Sequence, residues 1–272
     1  MIAMNFNDLT NEQKIQVAKG FDATPEMIPF IPYLLQDLWA LGSSPHLIIK
    51  ILKSLNLPES SKVIDLACGK GAVSCKIADE LRFKVLGIDL FGPFIDIAKQ
   101  KAEKYKVEKL CTFRVEDADT AVNTYKNFDV IILASAESLL GNIENSILSL
   151  RKCVRQNGYI IFDGSYLLED ARIDNPDYAV IKNYKSTVTA LRSQGDEIVQ
   201  EVFIPAEETK KVNDEYTELI RIRAEELSIR HPDKENLLLD YVRKQEEECK
   251  IIENEIAGCI WCIRKIKSLP AC

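Results

Sequence analysis

The chain has no run of about 18 apolar residues, the length a helix needs to cross a bilayer, so no transmembrane helix is expected. Its first residues, Met1-Ile2-Ala3-Met4-Asn5-Phe6-Asn7-Asp8, hold neither a basic stretch nor a long apolar one. They do not read as a secretory signal, and a cytoplasmic location is the expectation. Basic residues are in deficit: 35 Lys and Arg against 42 Asp and Glu give a formal charge of −7. That argues against tight, non-specific nucleic-acid binding, which needs basic patches, although a local patch is still compatible with it. Histidine is scarce, with His46 and His231 alone, and no cluster of ligands stands at metal spacing, so no metal site is expected. The eight cysteines are scattered, and only Cys259-Ile260-Trp261-Cys262 has metal-like spacing. No second pair accompanies it, and residues three apart in a strand face opposite sides of a sheet. These read as plain core cysteines, with no disulfide framework. Internal repeats and low-complexity linkers are lacking too.

What is present is an ordinary globular balance: 272 residues, 46% hydrophobic and 28% charged, enough for one large domain or two small ones. Residues 1–57 read as helices. Thr10-Asn11-Glu12-Gln13 is a capping box, and Thr24-Pro25 and Ser44-Pro45 each pair an N-cap with Pro at the first helical position. Between them the apolar, aromatic stretch from Met27 to Trp39 is too interrupted by Pro for one long helix. Pro58-Glu59-Ser60-Ser61 breaks the chain. Strands are then expected near 62–66, 84–88, 111–115, 128–133 and 157–163, and helices near 72–81, 93–105 and 143–155, with Gly158 near a turn. This alternation predicts an α/β, doubly wound, mostly parallel sheet with helices on both faces. In the C-terminal third, residues 178–192 read as a helix and 197–204 as a strand. Two charged helices follow near 206–230 and 234–255. Val212, Tyr216, Leu219, Arg223 and Leu227 share a face of the first, and Leu238, Tyr241, Val242, Cys249, Ile252 and Ile256 recur along the second. The apolar run Cys259 to Ile266 reads as the last strand.

The most informative stretch is Val63-Ile64-Asp65-Leu66-Ala67-Cys68-Gly69-Lys70-Gly71, followed by Val85-Leu86-Gly87-Ile88-Asp89-Leu90. Each apolar run ends in an Asp, and between them lie a two-glycine loop and a helix. Glycines let a backbone approach a ligand and take positive φ. Asp89 stands where a carboxylate accepts both hydroxyls of a ribose, and no Arg follows it to hold a 2′-phosphate. A dinucleotide fingerprint would place a third Gly where this chain has Ser74, and apolar residues where it has Asp65. An acid beside a pyrophosphate is badly placed, whereas it suits a cation. The ligand indicated is a nucleoside with positive charge and no phosphate, which S-adenosyl-L-methionine is.

Asp65 to Gly71 resembles the first motif of the class I S-adenosylmethionine-dependent methyltransferases, and Gly87-Ile88-Asp89-Leu90 their second. Glu116-Asp117-Ala118 resembles their acidic segment beside the adenine, and Phe128 to Leu133 their fourth strand. The resemblance is clear over residues 58–167 and weaker beyond; Ala67 stands where the family more often has Gly. It implies a seven-stranded sheet whose last two strands form an antiparallel edge. The organisation expected is an N-terminal helical cap over 1–57 and a cofactor domain over 58–272, with a helical insertion at about 206–256 before the last strand. The cofactor-binding residues implied are Asp65, Ala67, Gly69, Gly71, Asp89, Leu90, Asp117, Ala118 and Ala134. Asp117 would face the adenine amine, Ala118 a ring nitrogen, and the backbone of Ala134 the methionyl part.

The reaction expected is in-line displacement at the sulfonium methyl, for which the protein mainly supplies proximity and orientation. After the fourth strand the chain reads Ala134-Ser135-Ala136-Glu137-Ser138, without the Asn- or Asp-Pro-Pro-aromatic segment of enzymes that methylate amino groups of DNA bases. By exclusion the acceptor is a small molecule. Glu137 and His46 are weak candidates for a general base, needed only if the acceptor has a proton to lose. Tyr33, Trp39 and Phe91 line either a pocket or the core. Two alternatives remain: a non-catalytic S-adenosylmethionine-binding regulator, which would carry the same motifs, and a nicotinamide-dependent oxidoreductase, against which Asp65 and Ser74 speak. The oligomeric state is not legible.

Overall fold

A computed structural model of the chain describes residues 9–169, 171, 173, 178 and 181–266. Helix α1 (Asn11–Lys19) starts at a reciprocal capping box between Thr10 and Gln13. A short 3-10 turn (Pro25–Met27), α2 (Ile31–Leu34) and α3 (Pro45–Ser54) follow. Thr24 and Ser44 do occupy N-cap positions, but neither side chain bonds the turn it precedes. The Pro after each already has no N–H and a helical φ, so less is left for the cap to do.

The chain then alternates strand and helix: β1 (Lys62–Leu66), α4 (Ala72–Leu81), β2 (Lys84–Asp89), α5 (Gly92–Lys104), β3 (Cys111–Val115), α6 (Ala118–Thr124), β4 (Phe128–Leu133), α7 (Ile143–Cys153) and β5 (Val154–Leu167). Helix α8 (Tyr184–Leu191), β6 (Glu197–Phe203), α9 (Ala206–Arg230), α10 (Glu235–Glu255) and β7 (Ile256–Arg264) complete it. The helix expected at 178–192 is shorter: α8 starts at Tyr184 behind an Asn183 N-cap whose side chain accepts from Ser186 N, and residues 179 and 180 lie outside the described set. The seven strands form one sheet in the order β3-β2-β1-β4-β5-β7-β6. Strands β1 to β5 are parallel, and β7 runs antiparallel to both neighbours. Its position between β5 and β6 is what makes the last two strands an antiparallel pair.

Both faces are covered, so strand residues alternate between two apolar layers. Val63, Val130, Ile132, Ile161, Ile260 and Cys262 pack with α3, α4 and α5, whereas Ile64, Ile131, Leu133, Phe162, Cys259 and Trp261 pack with α6, α7 and α8. Cys259 and Cys262 therefore fall on opposite faces, as their spacing requires. A third layer joins α1, α2, α9 and α10 to Phe91 and Phe94 at the start of α5. The N-terminal helices and the late helical pair thus form one body over the carboxyl end of β2.

Three local expectations need correction. Gly158 lies inside β5 and not at a turn: a Cβ there would meet Val154 Cγ1 at 2.5 Å and the Asp129 carbonyl at 2.8 Å, beside a register shift between Phe128 and Val130. The glycine admits a bulged pairing. The buried residues of α9 are Thr217, Ile220, Ala224 and Leu227; of the expected stripe Leu227 is among them and Tyr216 and Leu219 pack half-buried against the same layer, so the inward face is wider than that stripe. Its apolar residues are few, and Arg223 reaches the N-terminal segment to pair with Asp37 at 2.6 Å. Helix α6 escapes the sequence pattern because Asp119, Asn123 and Thr124 leave it without an apolar period.

Candidate cofactor and acceptor site

The carboxyl ends of β1, β2 and β4 converge on the loop Ala67–Gly71. Ala67 (φ 55°), Gly69 (φ 52°) and Gly71 (φ 74°) are all left-handed. Gly71 could not be replaced cheaply: a Cβ would lie 2.9 Å from Ala98 and 3.0 Å from the Phe113 ring. Ala67 takes the same region with a Cβ, at a cost of about 1 kcal/mol.

Asp89 ties this loop to β2. Its two oxygens accept the Gly69 and Phe91 backbone N–H groups, each at 2.8 Å. The side chain is half-buried. Burial raises its pKa, against which those two hydrogen bonds act. A carboxylate offers about four acceptor directions, so each oxygen keeps one for a ligand hydroxyl. Leu90 follows, half-buried and packed against the layer of α1, α2, α9 and α10.

Asp65 is buried on the neighbouring strand and accepts the Ser74 hydroxyl at 2.6 Å. Desolvation pushes its pKa up to about 7, with Asp89 adding to the rise. Ser74 stands where a dinucleotide fold has its third Gly, so the two departures from that fingerprint are partners.

Lys70, between the glycines, was unassigned by sequence reasoning. It is 2% exposed, and its ammonium donates to the Leu35 carbonyl and, at 2.7 Å, to the Leu38 carbonyl. The Trp39 indole N–H returns a bond to the Lys70 carbonyl at 2.9 Å. Burial lowers the Lys70 pKa to about 8. The two-glycine loop is thereby fastened to the N-terminal helices, and Leu41 lies against Gly69: a Cβ on that glycine would be 2.9 Å from Leu41 Cδ1.

Asp117 caps α6, accepting from Asp119 N at 2.9 Å and Thr120 N at 3.2 Å through one oxygen. Ala118, at the first helical position, has an N–H with no intrahelical acceptor. Ala134 is buried at the end of β4, next to exposed Ser135, whose φ of 52° is again left-handed. Glu137 is half-buried, and its oxygens accept the Ser165 N–H and hydroxyl, both at 2.8 Å. Burial raises its pKa. His46 is not brought to this group: its side chain is 64% exposed and its partner is Glu208 at 3.3 Å. Tyr33 donates to Glu226 at 2.7 Å, and Phe91 is buried in the cap layer.

Asp163, at the same carboxyl end, was missed although its signal repeats that of Asp65 and Asp89: Tyr159-Ile160-Ile161-Phe162-Asp163 is an apolar run ending in Asp. It lies one residue beyond the paired Leu133 and Phe162, beside Ala134.

The donor set suits a cationic nucleoside. Carboxylates stand at the tips of β1, β2 and β5, and the loop's own cation, Lys70, is turned away into the cap. No helix among those described is long and apolar enough to cross a membrane.

A family described as a methyltransferase domain matches residues 57–222. A curated relative, the putative methyltransferase YqeM of Bacillus subtilis (strain 168), is 27% identical over 112 residues, 40% of this chain and 44% of its own length. The chain thus spans under half of that relative. Among solved structures, a SAM-dependent methyltransferase from Thiobacillus denitrificans in complex with S-adenosyl-L-homocysteine superposes with a TM-score of 0.73 at 17% identity, over 86% of this chain and 97% of that one. The [4+2]-cyclase SpnF gives 0.71 at 15% identity, over 93% and 96%.

Proposed function

The chain belongs to the class I S-adenosylmethionine-dependent methyltransferase family, and we propose that it transfers the sulfonium methyl group of S-adenosylmethionine to a small-molecule acceptor. The observation that carries this reading is Asp89: a strand-tip carboxylate, held by Gly69 and Phe91, with one acceptor direction left on each oxygen. In this reading Asp89 takes the two ribose hydroxyls, with Leu90 against the adenosine. Ala67, Gly69 and Gly71 bring backbone close to the methionyl part, and Asp65 supplies negative charge beneath it through the loop. Asp117 and Ala118 meet the adenine edge, and the Ala134 backbone borders the methyl group.

Bound there, the cofactor supplies a methyl carbon on a leaving group that departs as a neutral thioether. The chain's contribution is to orient that carbon, exclude water and receive the acceptor in line. Residues 1–57 act as the cap: Leu41 overlies Gly69, and a Cβ at Gly42 would stand 3.5 Å from Ser135 Oγ. The acidic composition, with the missing Pro-Pro-aromatic segment, supports a small molecule over a nucleic acid.

One observation favours a second reading, a cofactor-holding protein with another activity: the fold is shared with a [4+2]-cyclase. Incubation with methyl-labelled S-adenosylmethionine and pooled small molecules separates the two. Labelled product with stoichiometric S-adenosylhomocysteine supports transfer. Tight binding without turnover in any pool favours the second reading, and quenching by NADH in place of S-adenosylhomocysteine would overturn both.

A further inference from the structure

The buried carboxyl of Asp163 is given no contact in the cofactor reading above. Asp65 pairs with Ile132, and Ile132 with Ile161, so Asp163 lies on the same sheet face as Asp65, one step nearer the carboxyl edge. Two strand spacings and one two-residue step put their backbones roughly 12 Å apart. β4 runs between them, with buried Ala134 on the same face, so a ligand that reaches both acids lies over the carboxyl end of β4.

The residue is 5% exposed. It accepts a bond from the Ser135 side chain, and its Oδ2 has no hydrogen-bond partner. Glu137 is the neighbouring charge, with both oxygens on Ser165. No Lys, Arg or His among the described residues is bonded to either acid. Desolvation first, and Glu137 second, push the Asp163 pKa up to about 7.

Burying a carboxylate with an empty oxygen and no cation is costly, and one turn of the pleat below, the same face holds Ile161, which costs nothing. The aspartate is therefore unlike its row. The left-handed Ser135 places a hydroxyl on it directly beneath Gly42 of the cap. The vacant oxygen thus lies buried between β4, β5 and the cap.

We propose that Asp163 is the acceptor-binding residue and that the acceptor is a basic amine, whose nitrogen hydrogen-bonds Asp163 Oδ2. The inference rests on the methyl-transfer reading and names its substrate class. The amine arrives as an ammonium and gives one proton to the carboxylate. Its freed lone pair forms the N–C bond as the S–C bond breaks, the sulfur keeping that electron pair. The product leaves as a methylated ammonium, and the carboxyl returns its proton to water. Glu137 is a positioning residue that holds Ser165 beside Asp163.

The test uses the full chain saturated with S-adenosylhomocysteine and titrated calorimetrically with ethanolamine, putrescine, tyramine and histamine. Ethylene glycol, 1,4-butanediol and tyrosol serve as uncharged counterparts. The same compounds are screened for label transfer from S-adenosylmethionine. Expected is binding and methylation of at least one amine, at least tenfold above the counterparts. Asp163→Asn should lower kcat/KM for that amine at least tenfold while S-adenosylhomocysteine affinity stays within twofold. Ser135→Ala, a milder change, should act in the same direction. Equal use of the hydroxyl counterparts, no amine bound or methylated by a protein that binds S-adenosylhomocysteine, or an unchanged Asp163→Asn would overturn the proposal. Failure of the wild type to bind S-adenosylhomocysteine would instead remove the methyl-transfer reading, and the proposal with it.

Discussion

The Ser74 hydroxyl donates to Asp65 Oδ2 at 2.6 Å, and both residues are buried. One is the first turn of α4, the other the tip of β1, so this bond locks the strand to the helix across the glycine loop. Ser74→Ala leaves the carboxyl buried without that donor. The expected loss is about 1–3 kcal/mol in urea-induced unfolding, with weaker S-adenosylhomocysteine binding because the loop it anchors loosens. An unchanged unfolding midpoint would show that the bond does not hold the loop.

Lys70 gives a second test of the same loop. Its ammonium is satisfied by the Leu35 and Leu38 carbonyls. Lys70→Ala leaves the Leu38 carbonyl without its donor and the Leu35 carbonyl with the Leu38 N–H alone, and it opens space against the Phe94 ring, over which the ammonium sits at 5.0 Å. The expected cost is about 2–4 kcal/mol, and limited proteolysis should cut first between the cap and β1. Protection equal to the wild type would mean that the cap is held by its apolar layer alone.

The buried acids set a pH dependence. The folded pKa values of Asp65 and Asp163 rise to about 7 from 3.8. The folded state therefore holds protons that the unfolded state has released. Their contribution to stability is fully present below about pH 4 and is lost as pH rises through about 7, at most about 1.4 kcal/mol per group per pH unit. Glu248, raised to about 7 as well, acts in the same direction. The readout is therefore the difference between wild type and Asp163→Asn: the variant should lose less stability between pH 5 and pH 8 in urea unfolding. Parallel curves would place the Asp163 pKa near its ordinary value.

His46 is expected to be silent. It is exposed and paired only with Glu208, so His46→Ala should change stability by under about 0.5 kcal/mol and leave cofactor affinity and turnover unaltered. A loss of turnover with intact binding would return it to the reaction.

The strands were legible because a parallel sheet covered on both faces writes itself as apolar runs, and the candidate edge because the runs of β1 and β2 close on Asp65 and Asp89. Thr10 and Gln13 likewise declare a helix start through local spacing. What was hidden is non-local. Lys70 reads as a loop lysine until the cap carbonyls surround it, and Ser74 as a missing glycine until Asp65 lies beside it. Gly158 carries a turn signal that the pairing with β4 overrides. Asp163 was legible by the rule that picked out Asp65 and Asp89, but its burial without a cation exists only once β4, β5 and the cap have come together.

Calorimetric titration of the full-length protein with S-adenosylhomocysteine, beside Asp89→Ala, tests the central claim most directly. Expected is micromolar or tighter binding by the wild type and at least a hundredfold loss in the variant, which forfeits two charge-assisted hydroxyl bonds and the tie to Gly69. Equal affinity in the two proteins, or none in a folded, cofactor-free wild type, would contradict the placement of the cofactor at the tips of β1 and β2.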